Sequence, residues 1–464
     1  MQKKISLFSL VLLIVAAIDS IRTLPTTALF GGSLIFFFLL SAAIFLIPVA
    51  LISAEFSSRY PEQGGIFHWI RQAFGEKVGV LGVWLQWINT MLLFIAGTAA
   101  HLIHPTLAEN RIYLVLTTIA LFWGLTLLNL KGIHVSAKIN SFCGTVGTLL
   151  PMILLIILGI GWIVLKKNLS ISYSLDAMIP SFSITENGGA IVTIMASFLG
   201  MELAGVHVNE IQNPQKNFPK ALGYSVLILL MTLVFGALSI ATVIPKSEIR
   251  FVDGVMQTFT SFFNAFHISL FTPILALLIV IGALGGSINW LLSPAKGLLQ
   301  TAEYGFLPCC LIVKNKHGVS VRILVLQAVF VSLLCLSINL LPSINVFYWF
   351  LMALSTGLYM LMYIILFLSA LKLGRPPKDS LNYQIPLGLR TISCIAGLFA
   401  CLLTICVVFQ PSPEATVGST FFYAGLIAIG LIAMVAPVVF LWFYKERKTN
   451  RIFSSDPAPE DTRS

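Results

Sequence analysis

Residues Phe198–Ala221 read FLGMELAGVHVNEIQNPQKNFPKA. The stretch opens inside an apolar run and closes in a polar turn, with a carboxylate, Glu202, set between Gly200 and Gly205. An acid at the middle of a membrane-length helix is costly to bury, so such residues face a cavity and mark a functional path. The flanking glycines weaken the helix, because they have no side chain to pack and retain backbone freedom. A helix interrupted at mid-membrane is how many secondary transporters build a substrate site. That reading decides the fold, and the rest of the chain is taken outward from it.

The chain has 464 residues, 58% hydrophobic and 10% charged, with a mean hydropathy of +0.95. Soluble proteins carry about a quarter charged residues, so this is an all-α polytopic membrane protein. The net charge of +10 does not point to nucleic acid, because Lys and Arg recur in alternate loops and not in one patch. The seven cysteines lie mostly within apolar runs and form no CxxC. They read as small apolar fillers, not as a disulfide framework or metal site. Lys3 and Lys4 precede a long apolar run without a small-residue cleavage site, so the first segment is a retained helix and not a signal peptide.

Spanning a bilayer core takes about 20 apolar residues, and about twelve runs reach that length. They lie near 5–29, 32–57, 77–103, 111–130, 139–165, 188–209, 219–244, 268–302, 320–341, 345–371, 388–409 and 419–444, and are called segments 1 to 12. With both termini cytoplasmic, the inner loops hold Arg59, Arg71, Lys131, Lys216, Lys314, Arg390 and Lys445 among others; the outer loops hold Arg111, Lys166, Lys167, Lys246 and Arg250. The bias of about four to one toward one side predicts that both termini are inside. Between segments 7 and 8, the uncharged stretch Val255–Phe266 reads as a short helix along the outer interface. The segments form one transmembrane domain over 1–446, and residues 447–464 are expected to be a disordered cytoplasmic tail.

Segments 1 and 6 are the two with an acid near mid-depth, Asp19 and Glu202. Paired interrupted helices in equivalent positions point to an inverted repeat with a site at its interface. Repeat one then covers about 5–165 and repeat two about 188–371, with segments 11 and 12 added over 388–444. Segment 1 reads AAIDSIRTLPTTALFGG. On an intact helix Asp19 and Arg22 would share a face and neutralise each other. Pro25 cannot continue a hydrogen-bond ladder and fits the first turn of a new helical piece, so a break is expected around Asp19 to Arg22. The half-helix after it presents free N–H groups to a carboxylate. Arg22 reinforces that, and Asp19 suits an ammonium. The plainer alternative is an Asp19–Arg22 pair that only fixes helix packing.

Glu202 has two readings: a proton carrier during the cycle, or a carboxylate that stays hydrogen-bonded to the segment 1 backbone and holds the site together. Weaker polar candidates are Gln86 and Asn89 in segment 3, Gly285, Gly286, Ser287 and Asn289 in segment 8, and Ser355, Thr356 and Tyr359 in segment 10. Small-residue clusters are more often helix contacts than sites. His207 near the end of segment 6 reads as a hydrogen-bonded surface residue, and Lys296 as a side chain snorkelling to the headgroups. There is no phosphate loop, no HExxH, no metal-ligand cluster and no nucleophile–base constellation, so no enzyme, cofactor or resident metal is expected.

Four stretches carry a resemblance: SAEFSSRYPEQGGIFHW (Ser53–Trp69), Phe198–Ala221, VIPKSEIRFVDGVMQTF (Val243–Phe259) and NWLLSPAKGLLQTAEYGFLP (Asn289–Pro308). They resemble the glutamate–proline–double-glycine turn after helix 2, the helix 6 region, the outer loop and the inner half of helix 8 in the amino acid–polyamine–organocation superfamily. Within it the chain is similar to bacterial glutamate/γ-aminobutyrate antiporters. The resemblance implies a twelve-helix, five-plus-five inverted-repeat fold with broken helices 1 and 6, in a bacterial inner membrane. It implies exchange of amino acids by alternating access, as an antiporter, or else proton-coupled symport; a non-transporting amino acid sensor is the third option. Amino acids, the lipid bilayer and protons are the partners. The expected substrate site comprises Ile18, Asp19, Ser20, Ile21, Arg22, Thr23, Phe198, Gly200, Met201, Glu202, Gly205, Gly286 and Asn289, with Glu202 as the proton-coupling residue. The chain departs from those antiporters at Gly286, where they carry an acid, and in its short tail, so neither glutamate specificity nor gating by a tail is expected.

Overall fold

Inside a bilayer every backbone N–H and C=O must be satisfied within the protein, which leaves helices as the elements open to these apolar runs. The computed structural model describes residues 4–61, 65–96, 110–165, 168–174, 178–180, 184–250, 254–306, 308–340, 343–374, 383–411 and 419–454. Among them, every regular element is helical, with two isolated β-bridges, Ile5 with Ile211 and Lys314 with Ser320. Segment 1 is divided into α1 (Leu7–Ile18) and α2 (Leu24–Ala28), and segment 2 into α3 (Leu34–Ser41) and α4 (Ile47–Arg59). The short α5 (Ile66–Phe74) leads into α6 (Glu76–Ala96), the described part of segment 3. Then follow α7 (Arg111–Asn129), and α8 (Ile133–Gly144) and α9 (Leu150–Val164), which together make segment 5. Segment 6 is α10 (Ile184–Ser197) with a 3-10 continuation, Leu203–Glu210. After it come α11 (Pro214–Val243), the short α12 (Gly254–Ala265), α13 (Thr272–Glu303), α14 (Val321–Leu336), α15 (Ile344–Leu373), α16 (Leu387–Val408) and α17 (Thr420–Ser454).

Among the described residues, nine helices are long and apolar enough to cross a membrane. Segments 3, 6 and 9 supply the shorter or less apolar α6, α10 and α14. Segments 2 and 5 each contain a π turn, Ala42–Leu46 and Thr145–Leu149, just ahead of Pro48 and Pro151. Proline has no N–H to give the ladder, and the wider turn absorbs the missing bond.

The packing repeats across the two halves. Segment 3 lies on segment 10 (α6 on α15) as segment 8 lies on segment 5 (α13 on α8), while 4 meets 9 and 2 meets 7. Exchanging the halves maps this set of contacts onto itself, as an inverted five-plus-five repeat requires. The short helices α5 and α12 occupy the matching connections, after segments 2 and 7. The added α16 packs on α15 and α4, and α17 on α6 and α15.

Two expectations change in detail. Val255–Phe266 is helical, but Val255, Phe259, Phe262 and Phe263 are buried in the protein and do not form a lipid-facing stripe. Gly254 seats this helix over Pro25 of α2, where an added Cβ would come within 2.8 Å of the ring. At the other end, α17 runs on to Ser454, past the expected domain boundary at 446. The rest of the expected tail, 455–464, lies outside the described residues, as do Lys166, Lys167 and most of the double-glycine turn, 62–64.

Candidate functional site

The ladder of α1 ends where the Asp19 N–H reaches the Val15 carbonyl at 2.7 Å. Asp19 (ψ 117°) and Ser20 (φ −133°, ψ 105°) are then extended, and a 3-10 turn, Ile21–Thr23, leads into α2 with Pro25 in its first turn. Side chains stabilise the restart: the Thr23 hydroxyl donates to the Ser20 carbonyl at 2.8 Å, and Thr26 to the Thr23 carbonyl at 2.7 Å. The break thus falls within the stretch where DSIR and Pro25 place it.

That break separates the two charges. Two extended residues rotate Arg22 off the face that holds Asp19, and no ion pair within 4 Å joins them, so the packing pair of the plainer reading does not form. Asp19 is 4% exposed, and neither carboxylate oxygen has a hydrogen-bond partner. Thr232 of α11 faces it, but the Thr232 hydroxyl lies within reach of the Ile228 and Leu229 carbonyls at 2.9 and 3.2 Å. Arg22 is half-buried and faces Tyr348 of α15. Both residues line a cavity of about 110 Å³, with the Asp19 carboxylate buried in its wall on the Thr232 side. Ile18, Ser20, Ile21, Thr23 and Gly286 from the expected site also line it, opposite Thr90, Thr148, Ser197, Ser287, Trp290 and Met352. The indole N–H of Trp290 donates to the Ala17 carbonyl at 2.5 Å, which fixes the wall to the last turn of α1.

Segment 6 breaks at Gly200, whose φ of +108° is unfavourable for any residue with a Cβ. An added Cβ would also stand 2.8 Å from the Trp290 ring. Glu202 follows, 1% exposed and directed away from the cavity. Its Oε1 accepts from Gln86 Nε2 at 2.8 Å and from the Tyr359 hydroxyl at 2.6 Å; its Oε2 accepts from Tyr363 at 2.5 Å. The Tyr359 ring stands 5.8 Å from Trp290, so Glu202 sits one layer behind the cavity wall. Phe198 packs edge-on against Phe38 at 5.8 Å, Gly205 lies against Trp69, and neither they nor Gly200 and Met201 line the cavity. The side chain of Asn289 lies outside the described residues. Gly282 and Gly285 let α13 touch segment 5 at Gly147 and Cys143, while Gly286 admits the Ala16 carbonyl of α1.

Sequence reading alone missed Tyr348, Thr148 and Tyr363. Tyr363 had a signal, since it stands one helical turn after Tyr359 on the same face. At the end of the bundle that holds the N-terminus, His207 and Lys296 also differ from expectation. His207 is 1% exposed, with Nε2 3.1 Å from the Ser293 hydroxyl and Nδ1 3.3 Å from Glu210. Lys296 does not run to a headgroup layer; its ammonium pairs with Glu210 at 2.9 Å. Burial works against ionisation of Glu210, but His207 and Lys296 outweigh it and hold the carboxyl down to about 2. The Glu210 carbonyl also accepts the Ile5 N–H at 2.8 Å, which ties the residues ahead of α1 to the end of segment 6. Arg390, expected in a loop, is buried and pairs with Glu55 at 2.8 Å.

A family model described as amino acid permease matches residues 5–434. An uncharacterized transporter of Legionella pneumophila is 37% identical over 98% of this chain and 99% of its own length. A glutamate/gamma-aminobutyrate antiporter of Lactococcus lactis is 30% identical over 72% of this chain and 68% of its own. Among solved structures, the crystal structure of MhsT in complex with L-phenylalanine is similar, with a TM-score of 0.58 and 13% identity over 88% of this chain and 98% of that one. At that identity the likeness is one of fold.

Proposed function

This chain belongs to the amino acid permease family, a family of membrane-embedded small-molecule transporters, and from that premise we propose that it exchanges amino acids across a bacterial inner membrane by alternating access. The observation that carries the proposal is the interrupted segment 1, whose break sets Asp19 and Arg22 in the wall of one cavity without letting them neutralise each other. Asp19 would meet the substrate ammonium, at the C-terminal, negative end of α1. Arg22 and the N–H groups leading into α2 would meet the carboxylate. Both termini would lie in the cytoplasm, following the bias of Lys and Arg.

Glu202 is assigned the coupling role. It links the break in segment 6 to segments 3 and 10, so a change in its protonation would loosen three hydrogen bonds across moving elements. Glu202→Gln should then flatten the pH dependence of transport; an unchanged profile would leave Glu202 a structural post.

Proton-coupled symport is the second reading, and what favours it is that both interrupted segments carry a buried acid beside the break, Asp19 and Glu202, as intramembrane proton paths do. Counterflow in proteoliposomes separates the two. Vesicles are loaded with single unlabelled amino acids and offered radiolabelled amino acid outside, with and without a pH gradient. Uptake that needs internal amino acid but no gradient supports exchange. Uptake into empty vesicles driven by an inward proton gradient supports symport. Saturable binding with no flux would replace both with a sensor.

A further inference from the structure

Resting on the reading of this cavity as an amino acid site, we infer that it accepts amino acids with an uncharged side chain and rejects dicarboxylic amino acids and diamines. The argument begins with the groups in the wall that can meet a charge. Among the described residues that line the cavity, Asp19 is the one acid and Arg22 the one base. One carboxylate and one guanidinium complement one ammonium and one carboxylate. No wall charge then remains for a third ionised group on the substrate.

The neutral polar groups do not make up the difference. The hydroxyls of Thr23, Thr90, Ser197 and Ser287 donate to carbonyls of their own segments, at 2.8, 2.6, 2.7 and 2.8 Å. Hydroxyls committed in this way turn lone pairs, not protons, toward the cavity. The Trp290 N–H is taken up by the Ala17 carbonyl. Ser20, Thr148 and Tyr348 also line the wall, and their hydroxyls, like the N–H groups leading into α2, are neutral donors, so a side-chain carboxylate would be buried without a counter-charge. A diamine has the opposite fault: it offers Arg22 an ammonium in place of a carboxylate. A basic side chain would compete with the α-ammonium for Asp19 and leave one of the two unmatched.

What remains of the wall suits an aliphatic side chain. Leu199, Leu291 and Met352 line it with Ala196 and Ala283.

The test is scintillation-proximity binding of tritiated L-alanine, L-leucine, L-glutamate, L-lysine and putrescine, each offered separately to the purified full-length protein. L-Alanine or L-leucine should bind, with L-glutamate, L-lysine and putrescine weaker by about a hundredfold or more. A second arm uses Ser287→Lys, which adds a cation to the wall and should strengthen L-glutamate binding at least ~10-fold. L-Glutamate, L-lysine or putrescine as the tightest ligand of the wild type would overturn the inference and keep the amino acid or amine site. Failure of a folded Ser287→Lys protein to gain L-glutamate would also count against it. No binding of any probe, to protein that is monodisperse and helical by circular dichroism, would remove the amino acid reading itself. If Ser287→Lys does not fold, the wild-type panel alone decides.

Discussion

Tyr363 holds Glu202 and the backbone of segment 6 with a single phenol. Its hydroxyl donates to Glu202 Oε2 at 2.5 Å, while the same oxygen accepts the Gly200 N–H at 3.1 Å. The residue at the break and the acid beyond it are thus fixed from α15, where Tyr363 is fully buried. Removing that hydroxyl leaves a buried carboxylate oxygen and a buried N–H without partners. Tyr363→Phe should therefore cost about 1–3 kcal/mol. It should also lower the rate of exchange more than the affinity for substrate. Thermal melts in detergent and the half-saturation concentration check both; an unchanged melting temperature would remove the bond from the account.

Asp19 is predicted to act on binding and stability in opposite directions. A buried carboxylate without a hydrogen-bond partner is a cost to the empty protein. Asp19→Asn keeps the shape and removes the charge. It should leave the melting temperature unchanged or raised while weakening amino acid binding about 10-fold or more. A clear fall in melting temperature with unaltered binding would make Asp19 a packing residue.

Arg22 is assigned to the part of the substrate that all amino acids share. Arg22→Ala should raise the half-saturation concentration for every transported amino acid by a similar factor, about 10-fold or more. A loss confined to one side-chain class, read from a panel of competitors, would move Arg22 to the side-chain pocket.

Glu210 gives a pH signature at the N-terminal end of the bundle. Its carboxyl is depressed from 4.5 to about 2, so the stability it contributes is fully present above pH 4.5 and is lost as the pH falls through about 2. Glu210→Gln should lower the melting temperature by a constant amount from pH 7 to 5, with the gap to wild type narrowing below 4.5. A gap below pH 4.5 as wide as the gap at pH 7 would show that Glu210 gains nothing from Lys296 and His207.

Much of this molecule was legible before any coordinate. The apolar runs have the length a bilayer demands, and no other element satisfies their backbone in lipid. Pro25 and Gly200 mark the two breaks, because one cannot give an N–H to the ladder and the other takes a φ of +108°. Those are local properties, set by a residue and its chain neighbours. The direction of each polar side chain is a different matter. Glu202, placed by the sequence in the substrate site, turns instead to Tyr359 and Tyr363, which are 157 and 161 residues away. Lys296 meets Glu210, and Arg390 leaves its expected loop for Glu55. A helical period tells which residues share a face, but not which helix lies across from it. The sequence by itself determined the membrane-spanning helices and where two of them are interrupted. Only the tertiary structure decided that Asp19 is left without a partner in the cavity while Glu202 is fully bonded behind it, because burial and pairing depend on what distant segments bring to the same place.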